Sequence, residues 1–231
     1  MNERGMIFNA EMVRAILDDR KTQTRRPIKW KQTRFTEIGE REDGSKWPWS
    51  EDAEHACDFW HPCPFGAVGD RIWVREAYRF PASLDDVSPT GVGEMAVATG
   101  YRKPWAPTFY EFTGTFSDGW KGFETPPKVS DAGKLRPSIH MPRWASRILL
   151  EITNARVERL NSIHDVDAMR EGIQNLTTCS HSDFGIPGVV NAQHPVRAFQ
   201  LLWESIYGAD SWRANPWVWV IEFKRVEGGA V

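Results

Sequence analysis

The chain has 231 residues, of which 41% are hydrophobic and 26% are charged, enough to bury a core and to form one large domain with long insertions. Its 29 basic and 31 acidic residues give a formal charge of −2, which excludes a global electrostatic attraction to nucleic acid. No apolar run approaches the length of a membrane span, and three cysteines without a signal-peptide pattern lead us to expect a reducing, cytoplasmic location with no membrane partner.

The first predicted elements are a short strand at Met6–Phe8 and a two-turn helix over residues 10–18. Asn9 is a residue type that favours the helix N-cap. Apolar residues then recur at helical spacing, namely Met12, Val13, Ile16 and Leu17. This pattern predicts a helix with one buried stripe.

Directly after this helix, residues 19–26 read Asp-Arg-Lys-Thr-Gln-Thr-Arg-Arg. Lys21 lies three residues before Thr24 and among arginines. Neighbouring cations weaken a lysine's hold on its proton, and a hydroxyl within reach can be activated or can bind a substrate oxygen. We therefore expect the chemistry in this octet. The alternatives are a solvated basic loop and a loop that binds an anion or supports the fold.

Charge is unevenly distributed along the chain. Residues 14–34 contain eight Lys and Arg against two acids, and residues 35–58 contain eight acids against two cations. A second basic run, at residues 134–147, contains four Lys and Arg and no acid. If the fold joins the two basic segments, they form a concavity suited to phosphates or an anionic substrate. Separate solvated faces are the alternative.

Residues 35–66 are predicted to be an irregular, acidic insertion. This stretch contains a metal-like cluster formed by His55, Cys57, His61 and Cys63. The cluster lacks the closely spaced cysteine pairs of a zinc knuckle. We therefore predict no metal and no cofactor.

Gly69–Asp70 predicts a turn. In the stretch that follows, through Tyr78, one face would carry Ile72, Val74 and Glu76, and the other Arg71, Trp73, Arg75 and Ala77. This alternation predicts a strand. Arg75 and Glu76 near its end are candidate substrate contacts. An ion pair between the two is the alternative.

Residues 80–133 are rich in Pro, Gly, Asp and Ser, which predicts a long connection with one hairpin around residues 110–116. Such a segment is typical of a functional lid or a family-specific elaboration. The basic loop that follows contains His140, Arg143 and Trp144, a set able to stack on and hydrogen-bond a nucleobase. A core tryptophan with exposed cations is the alternative.

Residues 148–160 predict two successive strands or one bent strand. Ser162 then predicts the cap of a helix that continues through Glu171, with Gly172 as its stop. The alternative for Glu171 is a solvated helix face.

Pro195 predicts the start of a last helix, with Phe199, Leu202 and Ile206 on one face. Residues 217–223 then predict a terminal strand. Many strands, few helices and no regular βαβ alternation predict an α+β fold, specifically a mixed β-barrel with flanking helices.

These motifs together resemble the activating signal cointegrator homology (ASCH) domain, a PUA-like β-barrel, in a form common among bacteriophage and prophage proteins. The resemblance rests on four stretches: Ile16–Arg26, Gly69–Glu76, Arg170–Gly172 and Trp217–Lys224. It implies a single ASCH domain over residues 1–231 with insertions at about 35–66, 80–133 and 175–192.

The family's signature near the first helix is Gly-x-Lys-x-x-(Glu/Thr)-x-Arg, which falls on Asp19, Lys21, Thr24 and Arg26. The lysine, threonine and arginine positions are intact. Asp19 replaces the usual glycine, and aspartate adopts positive φ less readily than glycine. The conformation of this turn is therefore open at the level of sequence.

One branch of the family is an amidohydrolase of N(4)-acetylcytidine that uses a lysine, a threonine and a glutamate. The resemblance assigns these roles to Lys21, Thr24 and Glu171. Thr24 would supply a hydroxyl, Lys21 a base, and Glu171 a group that orients Lys21 or carries the proton. Burial would lower the pKa of Lys21 and the glutamate would raise it, and the sequence leaves open which effect dominates.

The expected ligand is a nucleoside or modified base. The candidate substrate-binding residues are Arg20, Arg26, Arg75, Glu76, His140, Arg143 and Trp144. For Arg26, a structural salt bridge to the barrel is the alternative. Two other functions stay open. The chain can be an RNA-binding module, or a ribonuclease acting through Lys21 and His140. It can also be a phage interaction protein whose Trp-rich insertions bind a protein partner.

Overall fold

The computed structural model describes residues 1–29, 36–52, 57–117, 128–178 and 181–226. These residues form the predicted α+β structure, and no closed barrel is found among them. None of their helices has the length and apolar character needed to cross a membrane. The helices are α1 (Ala10–Leu17), α2 (Pro89–Ala98), α3 (Asp165–Arg170) and α4 (Pro195–Tyr207). The strands are β1 (Glu3–Ile7), β2 (Gln23–Pro27), β3 (Thr36–Glu40), β4 (Lys46–Asp52), β5 (Cys57–Trp60), β6 (Arg71–Arg75), β7 (Tyr78–Arg79), β8 (Phe109–Tyr110), β9 (Thr115–Phe116), β10 (Leu149–Arg159), β11 (Gln174–Asn175), β12 (Phe184–Ile186), β13 (Val190–Ala192) and β14 (Trp217–Arg225).

The chain separates into two compact units. The first contains residues 1–2, 18–70 and 151–224, and the second contains residues 3–17, 71–150 and 225–231. The predicted catalytic residues all belong to the first unit. The candidate substrate contacts from Arg75 to Trp144 belong to the second.

The main sheet of the first unit has the strand order β10, β14, β2. β14 and β2 are antiparallel, with Ile221 opposite Thr24 and Val220 opposite Arg25. The predicted terminal strand is confirmed and continues two residues further. Because side chains alternate along a strand, Val218 and Val220 share one face, and both are fully buried.

Helices α3 and α4 pack over this face of β14 in an apolar core. α4 begins at Pro195 as predicted, and Phe199 and Leu202 are buried. Ile206, predicted on the same face, is instead 43% exposed. Trp203 is buried in its place, since it lies one turn after Phe199.

The predicted Ser162 cap of α3 is wrong. Ser162 lies in a 3-10 turn, and the N-cap is His164, whose side chain makes no capping hydrogen bond. Ile163, between them, is extended and buried in the α3–α4 core. The helix therefore begins only after Ile163, whose extended backbone places its side chain in this core.

The prediction that residues 35–66 are irregular is also wrong. Their strands β3, β4 and β5 form a three-stranded antiparallel sheet. Trp47 and Trp60 share one face of it, and Trp47 packs edge-on against Trp219 at 5.0 Å between ring centroids. Gly39 leaves room for the Trp60 indole to lie across β3. Tryptophan packing thus outweighs the acidic composition that predicted a loop.

In the second unit, β1 and β6 pair in parallel. Asn9 caps α1 as predicted, since its Oδ1 accepts a hydrogen bond from Met12 N–H at 2.9 Å. The strand predicted to reach Tyr78 ends at Arg75, because the Glu76 N–H donates to Met141 Sδ at 3.4 Å instead of to a strand.

The segment 80–133 contains a helix, α2, that the sequence interpretation missed. Ser88 is its N-cap and accepts a hydrogen bond from Gly91 N–H at 3.1 Å, and Pro89 is the first helical residue. This Ser-Pro pair was the available signal. The predicted hairpin around 110–116 is confirmed as β8 and β9.

Candidate functional site

The chain reaches the candidate site through a turn at Asp19. Its φ of 56° is the left-handed conformation that glycine favours and aspartate tolerates. Thr22 N–H then donates to the Arg170 carbonyl at 2.9 Å, and Phe223 N–H donates to the Thr22 carbonyl at 2.9 Å. These bonds place Lys21 beside the end of α3.

Lys21 and Glu171 form a buried ion pair. Lys21 Nζ donates to Glu171 Oε2 at 2.7 Å and to the Glu171 carbonyl oxygen at 2.9 Å. The two side chains are 0% and 2% exposed. Neither group is therefore solvated, which overturns both the solvated-loop alternative for Lys21 and the solvated-face alternative for Glu171.

Glu171 is presented by the C-terminal end of α3. Its N–H donates to the Asp167 carbonyl at 2.9 Å, and Gly172, with φ 108°, ends the helix where the sequence predicted. Asp167 lies one turn earlier on the same side of α3. Both carboxylates contact side chains of β2.

The Arg25 guanidinium joins these carboxylates to β10. Arg25 is fully buried and contacts Glu171 Oε1 at 3.3 Å, Glu158 Oε2 at 3.2 Å and Asp167 Oδ2 at 3.4 Å. The Gln23 carboxamide lies beside it. In the amide orientation that satisfies both neighbours, its nitrogen donates to Asp167 Oδ1 at 3.3 Å and its oxygen accepts from Arg25. A single arginine thus holds three carboxylates, of which one is the partner of Lys21.

Arg156 continues this network toward solvent. Its Nε donates to Glu158 Oε1 at 2.5 Å, and its guanidinium also pairs with Glu222 of β14. Arg156 is 28% exposed, whereas Arg25 is completely covered. The network therefore runs from a buried centre at Lys21 to a partly exposed edge.

The pKa of Lys21 is lowered from its usual value of 10.5. Burial is the largest cause and outweighs the Glu171 carboxylate, which raises the pKa. Arg26 and Arg25 lower it further through like-charge repulsion. This answers the question that the sequence left open, because desolvation dominates over the ion pair.

Thr24 lies in β2 and is 1% exposed. Strand alternation places it on the opposite face of β2 from Arg25, beside Ile221. Arg26 shares the Thr24 face and is opposite Trp219. The structure thus brings Lys21 and Glu171 into contact, whereas Thr24 lies on the other face of β2 from the Arg25 guanidinium that holds Glu171.

Arg20 lies next to Lys21 without entering the buried network. Its guanidinium donates to Asp18 Oδ2 at 2.8 Å and to the Gly172 carbonyl at 3.4 Å. Arg20 is thus a partly exposed cation at the end of α3.

In the second unit, Glu76 pairs with Arg147 and not with Arg75. Arg147 Nε and Nη2 donate to the two Glu76 oxygens at 2.8 and 2.9 Å. Burial raises the pKa of Glu76, and Arg147 opposes that rise. Arg75 donates to the Ile139 carbonyl at 3.3 Å and stacks over Trp73. The alternative of an Arg75–Glu76 ion pair is therefore wrong, because each of the two side chains has a different partner.

The members of the predicted nucleobase set have protein contacts of their own. The Trp144 ring is stacked on Phe80, with 5.5 Å between centroids, in the core of the second unit. Arg143 Nε donates to Glu3 Oε2 at 2.6 Å. His140 is exposed, and its carbonyl accepts from the Tyr78 hydroxyl at 2.8 Å. The core-tryptophan alternative describes Trp144 best.

Part of the metal-like cluster lies outside what the structure describes. His55 is not among the described residues, and nor is the side chain of Cys57. His61 Nε2 is 2.8 Å from Ser50 Oγ, and Cys63 is buried.

Sequence reasoning missed the residues that surround the Lys21–Glu171 pair. These are Gln23, Arg25, Glu158, Asp167, Arg156 and Glu222. A weak signal was present in β10, where Arg156 and Glu158 are two residues apart and so share one strand face with opposite charges.

Comparisons with protein-family models, curated proteins and solved structures find no match to this chain. The Lys21–Glu171 contact is the structural observation on which a functional proposal can draw.

Proposed function

We propose that this protein is an amidohydrolase of the ASCH, PUA-like type that removes the acyl group from N(4)-acetylcytidine or a related acylated base. The observation that carries the proposal is the contact of 2.7 Å between Lys21 Nζ and Glu171 Oε2. It joins two residues 150 positions apart, both of which the resemblance had assigned to catalysis. The lowered pKa of Lys21 supports its role as a base.

In the proposed reaction, the Lys21 ammonium first passes its proton to Glu171, and the neutral amine then accepts the proton of the Thr24 hydroxyl as Thr24 Oγ attacks the acyl carbonyl. The C–N bond then breaks, and the Lys21 ammonium returns the proton to the leaving N4 amine of cytidine. Water hydrolyses the resulting ester with Lys21 again as base, which releases acetate and restores Thr24. Glu171 orients Lys21, holds this first proton through the reaction and returns it to Lys21 when acetate leaves.

Arg20 and Arg26 are the proposed substrate contacts nearest to Lys21. Both side chains are partly exposed, whereas Lys21 and Thr24 are covered. Substrate therefore has to displace groups that cover the pair before reaction, a step typical of sites that close over their ligand.

Thr24 provides the sharpest test of the mechanism. The purified protein is incubated with N(4)-acetylcytidine, cytidine release is followed by chromatography, and acid-quenched protein is analysed for an acetyl group on Thr24. Thr24→Ala is expected to abolish turnover and acetylation, whereas Thr24→Ser keeps both. Full activity of a folded Thr24→Ala variant would rule out the covalent route. Absence of turnover by the intact protein, together with salt-dependent RNA binding, would favour the RNA-binding alternative.

A further inference from the structure

The two oxygens of the Glu171 carboxylate have different partners. Oε2 accepts from Lys21 Nζ at 2.7 Å, and Oε1 accepts from Arg25 Nη1 at 3.3 Å. A carboxylate held at both oxygens cannot rotate about its terminal torsion without losing one of these bonds. Arg25 therefore constrains the orientation of the group that contacts Lys21.

Arg25 is itself held from the other side. Its Nη2 contacts Glu158 Oε2 at 3.2 Å and Asp167 Oδ2 at 3.4 Å, while Nη1 contacts Glu171. A planar guanidinium with donors on both Nη atoms can make these contacts at the same time, whereas a lysine ammonium is a compact point charge. The position thus uses the shape of arginine as well as its charge.

We propose that Arg25 is a positioning residue, whose fork fixes Glu171 Oε1 and thereby keeps Oε2 on Lys21 Nζ. This inference rests on the proposed function for its catalytic meaning, but its structural content is independent of turnover. Arg25 touches neither Lys21 nor, in the proposed reaction, the substrate. Its positive charge also repels that of Lys21, and the effect of its fork is exerted through Glu171.

The decisive variant is Arg25→Lys, which keeps the charge and removes the fork. The matched control is Arg79→Lys, the same chemical change at an arginine of the second unit whose guanidinium donates to both oxygens of Glu111. The readout is the pH titration of the Lys21 side chain by carbon-13 NMR of lysine Cε, with Lys21→Arg to assign the signal among nine lysines.

In Arg25→Lys, Glu171 is free to leave Lys21, so the pKa of Lys21 falls further because the carboxylate that raises it has moved away. Arg79→Lys leaves the Lys21 titration unchanged. An unchanged Lys21 titration in folded Arg25→Lys would overturn the proposal. It would show that a positive charge at position 25 keeps Glu171 on Lys21 without the guanidinium fork. If Arg25→Lys does not fold, Glu158→Gln releases the guanidinium from its opposite side. It is expected to shift the same signal, and an unchanged signal there overturns the proposal equally.

Turnover gives a second, separable readout. With N(4)-acetylcytidine as substrate, Arg25→Lys is expected to lower kcat by about 10- to 100-fold with KM unchanged, as for a misplaced catalytic group. A change confined to KM would contradict a positioning role. If the wild-type protein does not turn over this substrate, the proposed function fails, and the NMR titration alone decides the role of Arg25.

Discussion

At the scale of the residue, burial of ionisable groups is the main physical theme. Lys21, Arg25, Glu76 and Glu171 are each almost completely removed from water. An unpaired buried charge is costly, and each of these groups has an opposite charge in contact. Buried pairs of this kind commonly mark a functional site, and structural ion pairs share the same signature. Substitutions that distinguish a functional ion pair from a structural one are therefore the most informative.

Lys21→Met tests the lowered pKa of Lys21. The folded state has the lower pKa, so it binds fewer protons than the unfolded state at pH values below 10.5 and above the folded pKa. The wild-type free energy of unfolding, relative to that of Lys21→Met, should therefore rise with pH across this window. Denaturant titrations at several alkaline pH values measure it. A relative stability that falls with pH would contradict the lowered pKa.

Tyr78→Phe tests a pKa shift in the opposite direction, which makes stability fall as the pH rises. Burial raises the pKa of Tyr78 to about 12 from 10.0. Its contribution to stability is thus fully present below pH 10 and is lost as the pH rises toward 12. The wild type should lose stability over this range faster than Tyr78→Phe, and phenolate absorbance should show one late step that the variant lacks. Equal titration curves would refute the assignment.

At the scale of the element, the strongly periodic segments were predictable from sequence and the packed insertion was not. α1, α4 and β14 have clear apolar patterns and clear start signals at Asn9 and Pro195, and the structure confirms them. β3 to β5 escaped prediction because cross-strand tryptophan packing, which composition does not reveal, stabilises them.

Gly172→Ala tests the link between the end of α3 and the site. Gly172 has φ 108°, which alanine adopts only with strain, so we expect a loss of about 1–2 kcal/mol in the free energy of unfolding. Because Glu171 is the neighbouring residue, the Lys21 titration should shift as well. Thermal or chemical unfolding measures the first effect. Ser211→Ala, at a partly exposed position, is a control expected to change stability little.

Arg136→Leu tests the ordering of the loop before α2. The buried Arg136 Nη2 donates to the carbonyls of Leu84 and Val87 at 2.9 and 3.0 Å and leans over Phe80. Leucine leaves these carbonyls without their donor, so we expect a loss of about 2–4 kcal/mol. Arg213→Leu is the matched control, because Arg213 is 86% exposed. Similar losses of unfolding free energy in both variants would show that the buried hydrogen bonds of Arg136 do not contribute to stability.

At the scale of the whole molecule, the class of fold was predictable and its division was not. Composition and element types indicate α+β, and the described residues form that class. The division into two units depends on which distant segments pack together, and no local pattern encodes this. The same reason explains why Arg25 and Glu158 were missed as partners, since 133 residues separate them.

For a comparable reason, only part of the candidate site could be predicted from the sequence. Lys21 and Glu171 were identified through the resemblance, and the structure brings them into contact. Thr24 shares their unit and is buried, and its role as nucleophile stays a prediction. Candidate contacts of the second unit, such as Glu76 and Trp144, prove to have partners within that unit.

The most direct test of the central claim is the rate of cytidine release from N(4)-acetylcytidine by the wild type, Lys21→Met and Glu171→Gln, with folding confirmed by circular dichroism. Arg213→Gln is the control for the loss of an exposed charge. We predict turnover by the wild type and the control, and a loss of at least about 100-fold in each site variant, as for removal of a catalytic base or its partner. Wild-type activity that survives in a folded Lys21→Met variant, or no turnover by the wild type at all, would contradict the claim.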